Sequence, residues 1–401
     1  MKKIIAFCLS ICLLVVLCAC GTTQGSSETS EVTSSVVEDV DSVTVTDMSG
    51  DKVTISLPVE KIVNLWPAGT SSFFVMGAGD LVSALAVNSP ATMNSWTKFF
   101  YPGCADIPAM GGTDPSVEEL MNLEPDLVII HPKSASAGFA EQIREVGIPA
   151  ININFSNYDE MIEAYTMLGE ILGGEYQERL DAWCENVEET SDEISDLTKD
   201  LADEEKPVVL YIAGQTDSPT TTMSSGSICE DWTNIAGGIY ATTAAEMPEA
   251  TELTAEEIFK LDPDVIIVGG TYQHKLMDYI KSTDGWKDLK AVKDGRLYNN
   301  PFGCFNWDRF GLESLMQLHY AFMCIQPELA EEAGIDRDSM IQEVIDFYQM
   351  MNGTELTEEQ AGYMLDGLNP EGEKEEPVAT GGGGQGQGQG GGQGQSQGNA
   401  A

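Results

Sequence analysis

Residues 116–130 read SVEELMNLEPDLVII, and residues 254–268 read TAEEIFKLDPDVIIV, an offset of 138 positions (254 − 116 = 138). Each stretch begins with a hydroxyl residue, one apolar residue and two acidic residues, passes a Pro-Asp pair and ends in four apolar residues that are mostly β-branched. The pattern predicts a short helix, a tight turn and a buried strand in each copy. Two copies of one supersecondary unit indicate a chain built from two similar halves.

Both predicted helices begin with the signature of a capping box. Ser116 and Thr254 stand at the N-cap, and Glu119 and Glu257 follow three residues later. In a capping box the hydroxyl accepts from the N3 backbone N–H, and the N3 carboxylate accepts from the N-cap N–H. We therefore interpret Glu119 and Glu257 as structural residues.

Glu118 and Glu256 stand one residue earlier, in the first turn of the same two helices. One interpretation is that both are simply good first-turn residues, because the helix dipole favours a carboxylate there. The other is that each half presents one acidic side chain at an equivalent place. A symmetric partner with two identical basic sockets would recognise such a pair. Spacing alone leaves both interpretations open.

Strands and helices alternate through both halves. An antiparallel hairpin is predicted around residues 48–51, where apolar residues alternate on either side of a turn. Buried strands are predicted at 62–65, 81–87, 127–130, 150–153, 208–212, 265–268 and 296–298. Helices are predicted at 116–123, 139–146, 227–236, 254–261 and 311–324. Continuous apolar strands that alternate with helices are typical of an α/β fold with parallel-rich sheets covered by helices.

A long amphipathic segment, residues 175–203, joins the halves. Its apolar residues recur at steps of three and four: Tyr176, Leu180, Trp183, Val187, Ile194, Leu197 and Leu201. The pattern predicts a single spine helix about 43 Å long at 1.5 Å per residue. A coiled-coil oligomerisation helix is the alternative, but the apolar stripe covers too few heptads to favour it.

Both termini lie outside the predicted fold. Residues 4–17 form an apolar run behind two lysines, and residues 17–21 read LCACG. This pattern resembles a bacterial lipoprotein signal, so we expect residues 1–19 to be a signal peptide and Cys20 to carry the lipid; an ordinary secretory signal is the alternative. Residues 20–42 are predicted to be a flexible tether, and residues 353–401, which end in a Gly- and Gln-rich tract, a disordered tail.

The folded body is predicted to comprise an N-terminal lobe (43–157), connecting helices (158–206) and a C-terminal lobe with terminal helices (207–352). The lipoprotein signal places this body outside the cytoplasm, anchored to the cell membrane through lipid.

Composition excludes several kinds of partner and site. The chain carries 65 acidic and 20 basic residues, a formal charge of −45. A nucleic-acid partner is excluded because phosphate binding needs a basic face. The sequence contains no G-x-S-x-G motif, the region after residue 20 has no C-x-x-C motif, and the histidines are far apart: His131, His274 and His319. We therefore predict no catalytic residue, no metal site and no intrinsic cofactor.

Taken in order, several stretches resemble the helical-spine (class III) substrate-binding proteins of bacterial ABC importers. Besides the two repeats, they are residues 61–65, 76–80, 108–112, 173–174, 236–238, 286–298 and 307–309. The resemblance implies two α/β lobes joined by the spine helix, a ligand cleft between them, and a ferric siderophore or other iron complex, haem or cobalamin as transported ligand. It also implies that Glu118 and Glu256 dock onto arginines of a dimeric permease with its ATPase, with the protein as a monomer.

Aromatic residues and one arginine are the candidates for the cleft, because large flat or chelated ligands suit aromatic faces and a few cations. The candidates are Trp66, Tyr101, His131, Tyr272, Trp307 and Arg309. Trp66 and His131 follow predicted strands, where the crevice of an α/β sheet opens. Tyr101 forms either a ligand wall or a small satellite core, and His131 has either a structural or a contact role. Arg309 beside Trp307 would receive a carboxylate or catecholate; a surface ion pair with Asp308 or Glu313 is the alternative.

Two other functions stay open from the sequence. A receptor for free nickel, manganese or zinc would need several convergent ligands, of which His131 is one. An extracellular α/β enzyme would need a nucleophile and a base, and the sequence shows no motif for such a pair.

Overall fold

The computed structural model describes residues 42–375, apart from residues 88, 113 and 132–137. Its strands are β1 (Ser42–Thr46), β2 (Lys52–Ser56), β3 (Ile62–Asn64), β4 (Val82–Leu85), β5 (Leu127–Ile130), β6 (Ala150–Asn152), β7 (Val208–Ile212), β8 (Ile239–Tyr240), β9 (Val265–Val268) and β10 (Leu297–Asn299).

Helices precede, follow and connect these strands. They are α1 (Pro67–Val75), α2 (Ser95–Phe100), α3 (Val117–Leu123), α4 (Phe139–Glu145), α5 (Tyr158–Leu172), α6 (Gly174–Thr198), α7 (Ile228–Ile235), α8 (Ala241–Ala244), α9 (Ala255–Leu261), α10 (Gln273–Ser282), α11 (Lys290–Lys293), α12 (Ser314–Ile325), α13 (Pro327–Ala333), α14 (Arg337–Asn352) and α15 (Glu358–Leu365).

Each lobe contains one four-stranded sheet, and the two sheets share one topology. The N-terminal sheet has the order β4-β3-β5-β6 and the C-terminal sheet the order β8-β7-β9-β10, with every pair parallel. Numbered within each lobe, both orders are 2-1-3-4. The third strand of each lobe, β5 or β9, is the strand of the sequence repeat. The predicted duplication and the α/β fold class are therefore present in the structure.

The two repeats also match in detail. Ser116 and Thr254 cap α3 and α9, and both capping boxes are complete. Each helix ends on an acidic residue in the left-handed region, Glu124 at φ 48° and Asp262 at φ 47°. The same local sequence thus produces the same cap, turn and strand twice.

The spine helix α6 spans Gly174–Thr198 and ends before the predicted boundary at residue 203. The hydroxyl of Thr198 lies 3.0 Å from the carbonyl oxygen of Ile194 and 3.1 Å from that of Ile235, next to the C-terminal lobe. A hydroxyl that bonds carbonyl groups in this way competes with regular helix geometry. On its buried side, the indole N–H of Trp183 donates to the carbonyl of Leu312 at 2.6 Å.

The C-terminal segment forms a second connection between the lobes. The Asn352 side chain donates to the carbonyl of Val75 (2.9 Å), and Tyr348 stacks on Phe100 with ring centroids 4.2 Å apart. Beyond α14, the indole of Trp96 donates to the carbonyl of Leu368 at 2.8 Å. Helix α14 and the segment after α15 therefore pack against the N-terminal lobe.

The predicted disordered tail is wrong for residues 353–375. Helix α15 begins with a capping box at Thr357, and its apolar residues Ala361, Met364 and Leu365 are buried. Helix α15 packs against α14, and the Met364 and Leu365 carbonyls accept from the Phe302 backbone N–H and the Asn299 side chain, so its buried apolar residues offset the chain entropy of the segment. The predictions for residues 1–41, including Cys20, and for residues 376–401 lie outside the described residues.

Within the described part of the chain, no helix combines the length and the apolar content that a membrane span requires.

Candidate functional site

The topology places one switch point in each lobe. In a sheet of order 2-1-3-4, the first and third strands are neighbours whose connections leave in opposite directions, and ligands bind at the carboxyl ends of such strands. In the N-terminal lobe these strands are β3 and β5, which Trp66 and His131 follow closely. In the C-terminal lobe they are β7 and β9.

Four rings meet where the carboxyl edges of the two sheets face each other. The Trp66 ring lies 5.1 Å from His131, 5.2 Å from Phe155 and 5.6 Å from Phe310, centroid to centroid. Trp66, His131 and Phe155 come from the N-terminal lobe, whereas Phe310 comes from the loop after β10. We call these four residues the interlobe aromatic cluster.

The first turn of α1 holds Trp66 in place. The Asn64 side-chain oxygen accepts from the Trp66 backbone N–H at 2.9 Å. Gly69 lies against the ring, and a Cβ at that position would approach the indole to 2.6 Å. A cavity of about 10 Å³ lies beneath the ring, lined in part by Phe73 and Tyr165. A cavity of that size admits at most one water molecule.

Phe310 has an unusual backbone conformation, with φ at 45°. A bulky residue rarely adopts the left-handed region, and such a conformation costs about 1–3 kcal/mol. The Phe310 carbonyl accepts from the Tyr165 hydroxyl at 3.1 Å, and the ring packs on Trp66 and Phe155. These contacts, which connect the lobes, hold Phe310 in place.

Arg309 does not line the cleft, contrary to the expectation from the sequence. The side chain is 3% exposed, and its Nε donates to the Asp308 carboxylate at 2.5 Å. Its terminal nitrogen donates to the Tyr211 hydroxyl at 2.7 Å, and the Tyr211 hydroxyl also lies 2.6 Å from the same carboxylate oxygen. The pair is buried rather than on the surface, and its charge is already compensated. Arg309 therefore supports the loop that carries Phe310.

The structure also places Trp307 and Tyr101 away from the cluster. Trp307 is fully buried in the core. Tyr101 stacks on Phe74 at the far end of α1 (5.3 Å), and its hydroxyl donates to Asp80, which precedes β4. That position is the amino edge of the sheet, opposite the cluster. Because Trp307 packs in the core and Tyr101 packs against Phe74 and Asp80, the expectation that both line the cleft is wrong.

Tyr272 lies at the carboxyl edge of the C-terminal lobe. Its backbone N–H donates to the carbonyl of Gly214, and its half-buried ring lies 5.7 Å from the Lys275 ammonium. The loops after β7 and β9 touch here, since a Cβ on Gly214, at φ 55°, would lie 1.7 Å from the Gly269 carbonyl oxygen. Tyr272 is therefore at the rim of the site, outside the aromatic cluster.

Glu118 and Glu256 are exposed, whereas the neighbouring glutamates close the capping boxes. The turns after α3 and α9 lie at the amino edges, where Asp126 accepts from the Lys61 N–H and Asp264 from the Val208 N–H, each at 2.8 Å. Because each helix runs antiparallel to its strand, both glutamates lie toward the carboxyl edge of their own sheet.

Histidines, thiols and acids do not converge in the described part of the chain. No group of three or more His, Cys, Asp or Glu residues there is disposed to hold a metal ion. The cysteines after residue 20 are all free thiols with buried side chains: Cys104, Cys184, Cys229, Cys304 and Cys324. Burial raises the pKa of each of these thiols.

Comparison with known proteins identifies the family. Residues 68–302, more than half of the chain, match the family described as "Periplasmic binding protein". The chain belongs to the periplasmic binding protein family. This family consists of solute-binding proteins, and the recognition made from the sequence is confirmed.

Two curated relatives and one solved structure illustrate the likeness of this periplasmic binding protein. The Bacillus subtilis protein described as "Uncharacterized ABC transporter substrate-binding lipoprotein YvrC" is 29% identical over 263 residues, 64% of this chain and 77% of YvrC. The B. subtilis "Fe(3+)-citrate-binding protein YfmC" is 28% identical over 208 residues, 50% of this chain and 61% of YfmC. A periplasmic solute binding protein from Veillonella parvula superimposes with a TM-score of 0.66 at 23% identity, covering 82% of this chain and 98% of that one. The predicted fold class is confirmed.

Two members of the aromatic cluster were missed from the sequence. Phe155 stands two residues beyond the predicted strand 150–153, so the rule that selected Trp66 would have found it. Phe310 follows no strand directly, and no local signal distinguishes it. Only the packing of the loop after β10 against the N-terminal lobe reveals its position.

Proposed function

We propose that this periplasmic binding protein is the extracytoplasmic component of an ABC importer, and that it captures a metal chelate or a tetrapyrrole such as haem or cobalamin. The observation that carries the proposal is the interlobe aromatic cluster, which joins ring faces from both lobes at the facing carboxyl edges. Rings offer broad apolar contact to a flat or chelated ligand. The relative named for Fe³⁺-citrate supports an iron complex as the first ligand to test.

The lobes are expected to move little when ligand binds. The spine helix is one connection between the halves, and the contacts of α14 and Leu368 with the N-terminal lobe are a second. Closure around a ligand then requires rearrangement of Phe310 and Trp66 more than rotation of whole lobes. We propose that the protein acts as a monomer, anchored through a lipid on Cys20, and that it performs no bond chemistry.

Ligand binding is expected to depend on Trp66. Trp66→Phe should weaken binding of ferric citrate, a ferric siderophore, haem or cobinamide by about three- to tenfold, because the larger ring face is lost. Calorimetric titration of the purified body measures the change. Trp286→Phe is the matched control, since Trp286 is also buried but lies in the separate core of the C-terminal lobe. Absence of binding for every ligand, or equal losses in both variants, contradicts the proposal.

A receptor for a free metal is the alternative function. The aromatic surroundings of His131 and the lack of a convergent ligand set among the described residues favour the chelate. Metal analysis of protein purified without chelator separates the two: a stoichiometric metal ion without an organic ligand would support the alternative.

Glu118 and Glu256 are proposed to dock onto a two-fold symmetric permease that works with its ATPase. Their exposed carboxylates stand at equivalent positions of two lobes with one topology. A symmetric partner can therefore contact both with identical basic sockets.

Charge reversal at both positions is expected to abolish uptake and to leave ligand affinity unchanged. In Glu118→Lys/Glu256→Lys, like charges would meet at both sockets, a change that costs several kcal/mol. Asp192→Lys/Asp200→Lys alters net charge equally at exposed positions of the spine segment and should transport normally. Uptake of labelled ligand and calorimetry on the same variants supply the two readouts. Loss of ligand affinity would instead assign the glutamates to the cleft.

A further inference from the structure

Exposed apolar side chains occupy one equivalent position in the two lobes. In the part of the chain that the structure describes, the exposed large apolar residues include Met121, 50% exposed, and Phe259, 38% exposed. The two are related by the repeat offset, since 259 − 121 = 138. The remaining members of this set are Phe99, Val146, Leu197 and Tyr279.

Each of these side chains shares a helix face with a proposed docking glutamate. Met121 stands three residues after Glu118 on α3, and Phe259 stands three residues after Glu256 on α9. Residues three apart are neighbours on a helix surface. Both lobes therefore present the same combination on one helix face, one carboxylate beside one large apolar group.

Local packing supports the exposed position of both groups. Met121 belongs to none of the apolar core clusters, although Leu120 beside it is fully buried. Phe259 rests edge-to-face on Trp286, with centroids 5.4 Å apart, and a Cβ on Gly285 would approach its ring to 2.8 Å. Glycine at position 285 leaves room for the Phe259 ring on Trp286 with part of its surface in solvent.

We propose that Met121 and Phe259 form, together with Glu118 and Glu256, a paired docking surface for the permease dimer. The inference rests on the proposed function and adds the chemistry of the partner: each permease half supplies a cation beside an apolar pocket. The formal charge of the chain, −45, and the two glutamates on the same helix faces favour a basic partner. The repeated position favours a two-fold partner, because one asymmetric partner surface would not need the same pair twice.

Burial of these side chains supplies binding that salt does not screen. Charge contacts weaken as ionic strength rises, whereas apolar contacts persist. The wild-type protein should therefore retain part of its affinity for the permease–ATPase complex at 1 M salt, and a variant without the apolar groups should lose it.

The test compares Met121→Ser/Phe259→Ser with Val146→Ser/Leu197→Ser, which removes two exposed apolar groups from other positions. Binding to the protein's own permease–ATPase complex in lipid nanodiscs is measured at 0.1 M and 1 M salt. The first double variant should bind at least about tenfold more weakly at both salt concentrations. The control should bind like wild type, and ligand affinity should be unchanged in both.

The single variant Met121→Ser controls for misfolding of the double variant, because Met121 packs in no core cluster. It should lose a clear part of the affinity without a change in melting temperature. One contrary result is that charge reversal at the glutamates prevents binding while Met121→Ser and Met121→Ser/Phe259→Ser both bind normally. That result would overturn the role of the apolar side chains in docking and leave the proposed function standing. If the wild-type protein does not bind the complex, both proposals are overturned.

Discussion

Replacement of Asp308 by alanine should destabilise the protein by about 3–5 kcal/mol, because it leaves the buried guanidinium of Arg309 without its counter-charge. Asp308 is fully buried and Arg309 is 3% exposed. Burial acts to lower the pKa of Arg309, but Asp308 and the Tyr211 hydroxyl oppose it strongly, and the net direction is upward. The guanidinium therefore stays charged in the folded protein, and the substitution leaves this buried charge unpaired.

The control for this prediction is an exposed ion pair. Asp196 contacts Lys199 at 2.8 Å, and both side chains are more than half exposed. Asp196→Ala should therefore change the free energy of unfolding by less than about 1 kcal/mol. Urea denaturation of the variants supplies both values.

A second variant separates the unpaired charge from the loss of packing. Asp308→Leu/Arg309→Met removes both charges and should recover much of the loss, since an apolar pair of similar volume can replace a buried ion pair. We assign the Asp308–Arg309 pair as a buried, charge-compensated support for the Phe310 loop. Equal stability of the Asp308→Ala and Asp196→Ala variants would contradict this assignment.

The stability contributed by Glu313 should fall as pH rises, opposite to the usual behaviour of a paired carboxylate. Glu313 is 1% exposed, and its oxygens accept from the backbone N–H groups of Cys304 (2.8 Å) and Phe305 (2.9 Å) and from the Tyr348 hydroxyl. Burial raises the pKa of Glu313 from 4.5 to about 7, although these three hydrogen bonds favour the charged form.

The direction of this pH dependence follows from the number of protons that the folded and unfolded states bind. Between pH 4.5 and about 7 the folded protein holds a proton on Glu313 that the unfolded chain has released. The free energy of unfolding therefore decreases across this interval and is constant on either side. The total change from this group is about 3 kcal/mol, at about 1.4 kcal/mol for each pH unit.

Glu313→Gln isolates the effect, since the amide keeps an acceptor oxygen and has no charge to bury. The difference in unfolding free energy, variant minus wild type, should increase by about 3 kcal/mol from pH 4.5 to pH 8. Glu189→Gln, at an exposed position of the spine helix, should show no such trend. A difference that stays flat for Glu313→Gln would mean that the buried group is already ionised at pH 5.

Local signals in the sequence were sufficient for the repeated unit and the lobes. In each fifteen-residue repeat, the N-cap hydroxyl and the two first-turn glutamates specify the start of the helix, and the Pro-Asp turn specifies its end and the start of the strand. Both copies form this unit in the structure. The alternation of apolar runs with helices specified parallel sheets, because buried strands and covering helices each follow from the local period. The long amphipathic helix followed in the same way, with an error of a few residues at its end.

Long-range contacts explain the errors. Segment 353–375 is polar on average and gave no sign of order, yet its few apolar residues are buried where α15 packs against α14 and the end of β10. Arg309 and Trp307 have the composition of a ligand site, but burial and Asp308 give them structural roles. Tyr101 lies at the opposite edge because the segment after β4 returns the chain to the amino edge, where the Tyr101 ring stacks on Phe74 and its hydroxyl donates to Asp80.

The sequence by itself determined the helices and strands with a clear local period, that they occur in two similar halves, and that the body is strongly acidic. These properties depend on residues close together in the chain or on composition alone. Only the tertiary structure decided which rings meet between the lobes, because Phe310 lies more than 150 residues from both Trp66 and Phe155 in the chain and approaches them only through packing. The same packing decided which charges are buried, since the cost of burying a charge depends on neighbours that the fold brings from distant parts of the chain.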